Sequence, residues 1–131
     1  MIKYDLNNRV AVVTGGAQGF GFAITERFIQ AGAKVIIWDI EEKTAKEAVE
    51  KIKSENVSYQ IVDVTNFESV NKNLNRVAEN FGKIDIFINN AGIAGMNTTV
   101  VDYPLDEWKK VMNLNLNSVF YCCKAVVPFM I

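Results

Sequence analysis

A cluster of glycines near the N-terminus has the residue types and spacing to bind a phosphate-containing ligand. Residues 14–21 read TGGAQGFG, which places Gly15, Gly19 and Gly21 between a valine-rich run and an amphipathic segment. Glycine lets the backbone turn sharply and approach a pyrophosphate, whose charge is stabilised by the free amides of a helix N-terminus. An ordinary glycine-rich turn is the alternative. The position between a first strand and a first helix favours a dinucleotide-binding loop.

Two acids follow the next two apolar runs. Asp39 closes the run KVIIWD, 18 residues after Gly21, where its carboxylate could accept hydrogen bonds from both hydroxyls of an adenosine ribose. The alternative is a helix N-cap, because two glutamates follow directly. Asp63 ends the third run and would face the same edge of the sheet, or would form a cap or turn. We predict cofactor contact for both acids, and a preference for NAD over NADP, since Asp39 would repel a 2′-phosphate.

Composition excludes several other functions. The chain of 131 residues contains no histidine, which excludes Ser-His hydrolysis and His-ligated zinc, and we predict no metal site. Its 14 basic and 15 acidic residues form no long block of one sign, so no nucleic-acid partner is expected. The polar start of the chain lacks a signal peptide and no run could span a membrane, so we expect a cytoplasmic protein. The adjacent Cys122 and Cys123 are predicted to be reduced thiols of the core.

The spacing of apolar residues predicts the elements that position these side chains. Continuous apolar runs at 9–14, 34–39 and 84–88 predict buried strands, whereas alternation over 57–61 predicts an edge strand. Helical periodicity predicts helices over about 20–31, over 67–81 and over 106–130. A further helix is predicted after residue 40, with an apolar stripe from Ala45 to Ile52. A capping box of Thr65 and Glu68 should begin the third helix, and Gly82 should end it.

Strands that alternate with helices give right-handed crossovers and a parallel sheet. The predicted fold class is therefore α/β, a Rossmann-type doubly wound parallel sheet with strand order 3-2-1-4, in one domain over 1–131. The fourth strand is as apolar as a central strand but has one neighbour, so we expect a sheet truncated after that strand and the following helix, with further chain after Ile131.

The chain resembles the short-chain dehydrogenase/reductase family from about Leu6 to Ile131. Thr14-Gly15-x-x-x-Gly19-x-Gly21 is similar to that family's dinucleotide loop, and Asn89-Asn90-Ala91-Gly92 to its signature after the fourth strand. The stretch from Trp108 to Met130 is similar to the family's helix that carries one asparagine of the catalytic tetrad, which by alignment is Asn115. Phe20 stands where the family more often has an aliphatic residue, and Asn117-Ser118 where it often has a glycine.

The resemblance implies a role for each matching residue. The phosphates would be lined by Gly15, Gln18, Gly19, Phe20 and Gly21, the adenosine ribose by Asp39 with Ile40, the adenine by Asp63 and Val64, and the nicotinamide-side ribose by Asn90, Ala91 and Gly92. Asn115, which as a helical asparagine would otherwise be read as a surface residue, would shape the helix so that a backbone carbonyl holds a water of a proton relay. The partners implied are a small alcohol or ketone, including sugars and 3-oxoacyl compounds, and a second copy in a dimer or tetramer.

One part of the family pattern is missing. The family's chemistry uses a serine and a tyrosine followed four residues later by a lysine, which lowers the pKa of the phenol. Four residues after the tyrosines stand Asn8, Asp63, Glu107 and Ala125. Two hypotheses therefore stay open. The chain is the N-terminal portion of an NAD(P)-dependent oxidoreductase and is inactive alone, or it is a non-catalytic dinucleotide-binding module.

Overall fold

Strands and helices alternate through residues 2–131, which the computed structural model describes. The strands are β1 (Val10–Thr14), β2 (Lys34–Asp39), β3 (Val57–Ile61) and β4 (Ile86–Ile88). The helices are α1 (Gly19–Gln30), α2 (Glu42–Ile52), α3 (Phe67–Phe81), α4 (Leu105–Met112) and α5 (Ser118–Met130), with a π-helical turn at Asn113–Asn117 between the last two. No helix in this described part of the chain is long and apolar enough to cross a membrane.

All strand pairings are parallel, and the sheet has the order β3-β2-β1-β4. The predicted fold class and strand order are confirmed. Within residues 2–131, β3 pairs with β2 alone, as expected for an edge strand, and β4 pairs with β1. The carboxyl ends of all four strands therefore meet at one edge of the sheet, where the predicted binding residues stand.

The two faces of the sheet explain why the central strands read as continuous apolar runs. Val10 and Val12 of β1 belong to the core against α3 and α5, whereas Ala11 and Val13 belong to the core beneath α1. Because successive side chains of a strand point to opposite faces, a strand covered on both sides must be apolar at every position. The 0 % exposure of Val12 and Val13 shows that both faces of β1 are covered.

One strand boundary and one helix cap differ from the predictions. The fourth strand was predicted over 84–88, but its ladder covers only Ile86–Ile88. Just before the ladder, Asp85 N donates to Val10 O, and Val10 N donates to the Asp85 side chain and not to a backbone carbonyl oxygen. Helix α3 begins after Asn66, whose side chain accepts from Ser69 N at 3.0 Å. The predicted Thr65 cap was wrong, since the hydroxyl of Thr65 is hydrogen-bonded to Asp63 instead. The predicted stop at Gly82 is confirmed.

The last predicted helix is interrupted. It runs from Leu105 to Met130 but passes through the π-helical turn at Asn113–Asn117, which the apolar spacing did not indicate. Cys122 lies in the core, and burial, with a smaller effect of its neighbour, raises the pKa of its thiol to about 12. The prediction of two core thiols was half wrong, because Cys123 is exposed. Adjacent helical residues point in different directions, so one face can bury only one of them.

Asp85 fastens β4 to β1 at the amino edge of the sheet, opposite the predicted site. Its carboxylate accepts from Val10 N at 2.8 Å and lies 3.0 Å from Lys83 Nζ and 3.5 Å from the Arg9 guanidinium. Partial burial alone would raise the pKa of Asp85, but the hydrogen bond from Val10 and the interactions with the two cations outweigh burial. The pKa therefore lies below its ordinary value of 3.8.

We expect Asp85→Asn to lower the free energy of unfolding by about 1 kcal/mol at neutral pH, because a charge-assisted hydrogen bond is replaced by a neutral one. The depressed folded-state pKa means that this contribution is present above the unfolded-state pKa and is lost as pH falls through the folded-state pKa. Urea denaturation of both proteins from neutral to strongly acid pH measures it. A difference that does not shrink in acid contradicts the assignment.

Candidate functional site

The glycine loop joins β1 to α1 at the carboxyl edge of the sheet. Gly21 is buried in the first turn of α1, where an added Cβ would overlap the carbonyl oxygen of Gly15 and lie 2.6 Å from Asn90 Nδ2. Gly19 has a φ of +58° and no atom within 4 Å of the place its Cβ would take. The loop is therefore packed tightly against Asn90 at Gly21, and against Asn90 and Ala91 at Gly15, but leaves open space beside Gly19.

The N-terminus of α1 has the properties of an anion site. Gln18 is its N-cap residue and makes no side-chain capping bond, and the first turn contains no acidic residue. Backbone N–H groups at such a helix end carry partial positive charge and suit a phosphate. Phe20, in the same turn, is 86 % exposed, so its ring does not fill the space beside the loop.

Thr14 connects the glycine loop to the signature after β4. Its Oγ1 accepts from Asn90 N at 2.9 Å and from Ala91 N at 3.0 Å, and donates to Ile88 O at 3.3 Å. The side-chain amide of Asn90 in turn donates to Thr14 O at 3.1 Å and to Gly15 O at 3.2 Å. Thr14 was not among the predicted site residues. Its hydroxyl, at the last position of a buried apolar strand, is the feature that could have indicated its role.

The two acids stand at the ends of neighbouring strands. Oδ1 of Asp39 accepts from Glu41 N at 3.2 Å, so this side chain forms a turn and is not the cap of α2, whose N-cap is Glu41. Oδ1 of Asp63 accepts from the amide and the hydroxyl of Thr65, at 2.9 and 2.6 Å. Among residues 2–131, Oδ2 of both acids has no hydrogen-bond partner. Each acid is thus oriented through one carboxylate oxygen, and the other oxygen has no protein partner within residues 2–131.

An open cleft of about 530 Å³ lies along this edge. It is lined by most of the predicted cofactor residues, namely Gly15, Gln18, Asp39, Ile40, Asp63, Val64, Asn90, Ala91 and Gly92. Three predicted residues, Gly19, Phe20 and Gly21, belong to the loop but are not in the lining. The lining also includes residues that sequence reasoning missed: Trp38, Val62, Thr65, Ile93, Lys110, Asn113 and Leu114.

The floor and one wall of the cleft are formed by residues that the sequence did not indicate as site residues. Trp38 is fully buried, donates from Nε1 to Gln60 Oε1 at 2.7 Å, and packs edge-on against Phe87 with ring centroids 5.5 Å apart. Lys110 and Leu114 reach the cleft because α4 and the π-helical turn lie across it. The cleft is therefore bounded by the sheet edge below and by α4 at the side.

Asn115 lies in the π-helical turn and binds the loop that follows β4. Its Nδ2 donates to Ile93 O at 2.8 Å, and its Oδ1 accepts from Ile93 N at 2.9 Å. Oδ1 would also lie 3.1 Å from a Cβ added to Gly92. The side chain thus holds the loop beside Gly92, and the catalytic role that the resemblance implies for Asn115 stays a prediction. No three metal-ligating side chains cluster anywhere in residues 2–131.

This arrangement defines a class of protein. A parallel sheet with a glycine loop between its first strand and helix, and with acids at the ends of the next two strands, is a Rossmann-type domain, the fold that takes dinucleotides at this edge. A family model described as short chain dehydrogenase matches residues 9–131. The chain belongs to the short-chain dehydrogenase family.

Individual relatives agree with the family and differ in their substrates. The chain is 36 % identical to a 3alpha-hydroxysteroid dehydrogenase of Mediterraneibacter gnavus, over 95 % of this chain and 51 % of the relative. It is 40 % identical to a probable NADP-dependent mannitol dehydrogenase of Yarrowia lipolytica, over 95 % and 46 %. The crystal structure of an NAD+-bound xylitol dehydrogenase is similar, with a TM-score of 0.91 and 31 % identity over 95 % of this chain and 49 % of the other. The chain spans about half the length of the relatives it matches.

Proposed function

We propose that the chain is the cofactor-binding portion of an NAD-dependent oxidoreductase that transfers hydride between nicotinamide and an alcohol or ketone. The observation that carries this proposal is the single cleft that unites the glycine loop, the two acids and residues 90–92. Four segments of the sequence, separated by three strands and three helices, meet there. Relatives named for steroid and sugar-alcohol substrates support oxidoreduction of a hydroxyl or carbonyl group.

The side chains and backbone of the cleft fit the parts of a dinucleotide. The uncapped N-terminus of α1, with Gly15, Gln18, Gly19, Phe20 and Gly21, would hold the pyrophosphate. The free oxygen of Asp39, beside Ile40, would accept from the adenosine ribose, and Asp63 with Val64 would border the adenine. Asn90, Ala91 and Gly92 would border the second ribose. The bound cofactor would supply the hydride chemistry, and the protein would bind and orient it.

The preference for NAD over NADP rests on Asp39. A 2′-phosphate beside this carboxylate would meet like charge at close range, and each 1.4 kcal/mol or so of repulsion is about a factor of ten in affinity. In a calorimetric titration we expect NAD+ to bind at least about tenfold more tightly than NADP+. Asp39→Asn should shrink this ratio, because the amide keeps an acceptor for Glu41 N without the charge.

Glu41→Gln is the matched control, because it removes an exposed negative charge two residues away that does not line the cleft. The control should leave the NAD+ to NADP+ ratio unchanged. Tighter binding of NADP+ by the wild type would contradict the preference. Failure of both cofactors to bind would contradict the proposed function itself.

A non-catalytic dinucleotide-binding module is the second candidate. It is favoured by one observation, that none of the four tyrosines has a lysine four residues later. The substrate class remains an alcohol or ketone on the strength of the relatives, since residues 93–105 would form only one wall of a substrate pocket and do not choose among such substrates. We also propose a homo-oligomer, since exposed apolar side chains at Leu116, Phe120 and Val127 repeat at helical spacing.

A further inference from the structure

Within residues 2–131, Lys110 is the one positively charged side chain in a cleft whose other charged side chains are carboxylates. It lies in the last turn of α4 and lines the cleft together with Asp39 and Asp63. Among the lining residues, all within the described part of the chain, it is the one basic side chain. The neighbouring Lys109 is equally part of α4, and both lysines are exposed, but Lys109 does not line the cleft. The two lysines therefore differ in their access to a ligand.

The charge of Lys110 has no partner within the described residues. The ion pairs of residues 2–131 both involve Asp85, at the opposite edge of the sheet. Within residues 2–131 no carboxylate lies at ion-pair distance from the Lys110 ammonium group, although two carboxylates line the same cleft. An unpaired cation in a concave site concentrates positive potential there and attracts anions.

A basic residue in the last turn of a helix is ordinarily explained by the helix dipole. This explanation does not apply to Lys110, because α4 continues through the π-helical turn into α5. The carbonyl oxygens of Lys109 and Lys110 both accept from Asn113 N, so no free helix end lies near the ammonium group. Capping of α4 therefore does not account for a lysine at this position.

We propose that Lys110 is a cofactor-binding residue whose charge attracts the diphosphate of the dinucleotide and offsets repulsion from Asp39 and Asp63. The proposal rests on the proposed function of the cleft. Because the effect is electrostatic, it acts on ligands that carry phosphate and not on an uncharged nucleoside, and salt weakens it.

The test compares Lys110→Met with Lys109→Met in the 131-residue chain, since both variants remove one positive charge from the same helix turn. Binding of ADP-ribose and of adenosine is measured by calorimetry at low and high salt. For Lys110→Met we expect about three- to tenfold weaker binding of ADP-ribose at low salt. Its affinity for adenosine should be unchanged, and its deficit with ADP-ribose should be smaller at high salt. Lys109→Met should match the wild type with both ligands, and Lys110→Arg should restore binding.

Three results would overturn the inference while leaving the proposed function intact. The first is an unchanged affinity for ADP-ribose in Lys110→Met. The second is an equal loss of affinity for adenosine in that variant, which would indicate packing by the side-chain stem. The third is an equal loss of ADP-ribose affinity in Lys109→Met, which would indicate an effect of general surface charge. A wild-type chain that binds neither ligand would overturn the proposed function and this inference together.

Discussion

Gly19→Val is expected to reduce affinity for NAD+ by at least about a hundredfold while leaving the fold intact. The backbone at Gly19 has a φ of +58°, a region that a β-branched residue adopts only with strain. The space beside this residue is open, so the fold itself does not clash with the new side chain. The branched side chain would instead occupy the space in front of the uncapped α1 N-terminus, where we place the pyrophosphate.

The chain contains a matched control for backbone strain. Gly82 has a φ of +79° and likewise nothing within 4 Å of its added Cβ, but it ends α3 and leads to the amino edge of the sheet, away from the cleft. Gly82→Val should therefore lose comparable stability and keep its affinity for NAD+. Circular dichroism, thermal unfolding and calorimetric titration of the two variants separate strain from binding. Wild-type affinity in a folded Gly19→Val protein would refute the phosphate site.

The 131-residue chain, prepared alone, is expected to form no NADH from any alcohol in a panel, even where it binds NAD+. Hydride transfer changes the charge on the substrate oxygen, and a positioned acid or base that exchanges its proton contributes roughly a hundred- to ten-thousand-fold in rate. No tyrosine in the chain has the lysine that would tune it for this role. Under the proposed function the loop at residues 93–105 would supply only one wall for a substrate, so alignment with the nicotinamide would not be enforced either.

This activity is measured by the absorbance of NADH as it forms. The cofactor is present at a saturating concentration that is chosen from the calorimetric titration. The titration is the necessary control, because it separates missing chemistry from missing cofactor. Steady turnover by a chain of verified mass would contradict the prediction and would require a proton donor other than a Tyr-x-x-x-Lys pair. The same assay on a longer polypeptide that contains such a pair distinguishes an enzyme from a binding module.

The sheet was predictable because burial on both faces leaves a direct mark on the sequence. Runs such as residues 10–14 and 34–39 are apolar at consecutive positions, and their ends place Gly15 and Asp39 at one edge. Parallel strands place their carboxyl ends at the same edge of a sheet, so residues at the ends of different strands could be predicted to lie together without a structure. That rule places Gly15, Asp39 and Asp63 in the cleft, and the resemblance to the family added the other predicted lining residues.

The remaining site residues depend on contacts between distant segments, which local spacing does not encode. Lys110 reaches the cleft only because the chain from Asn89 to Pro104 folds back and carries α4 across it. The π-helical turn was not predicted either, because Leu114 and Leu116 of its sequence NLNLN stand two positions apart and five residues are too few to distinguish one helical period from another. The hydrogen bonds of Asn115 to Ile93 join residues 22 positions apart and follow from that turn.

The hydroxyl of Thr14 determines how the cleft can respond to a ligand. One proton and two lone pairs are all that a hydroxyl possesses, and in Thr14 the proton goes to Ile88 O while the lone pairs receive the amides of Asn90 and Ala91. The glycine loop and the segment after β4 are therefore joined through one oxygen whose hydrogen-bonding capacity is fully used. Under the proposed function, the conformational entropy of these two segments would be lost when the chain folds and not again on binding. Adjustment to a bound dinucleotide would then fall to the outer side chains, such as Ile40 and Lys110.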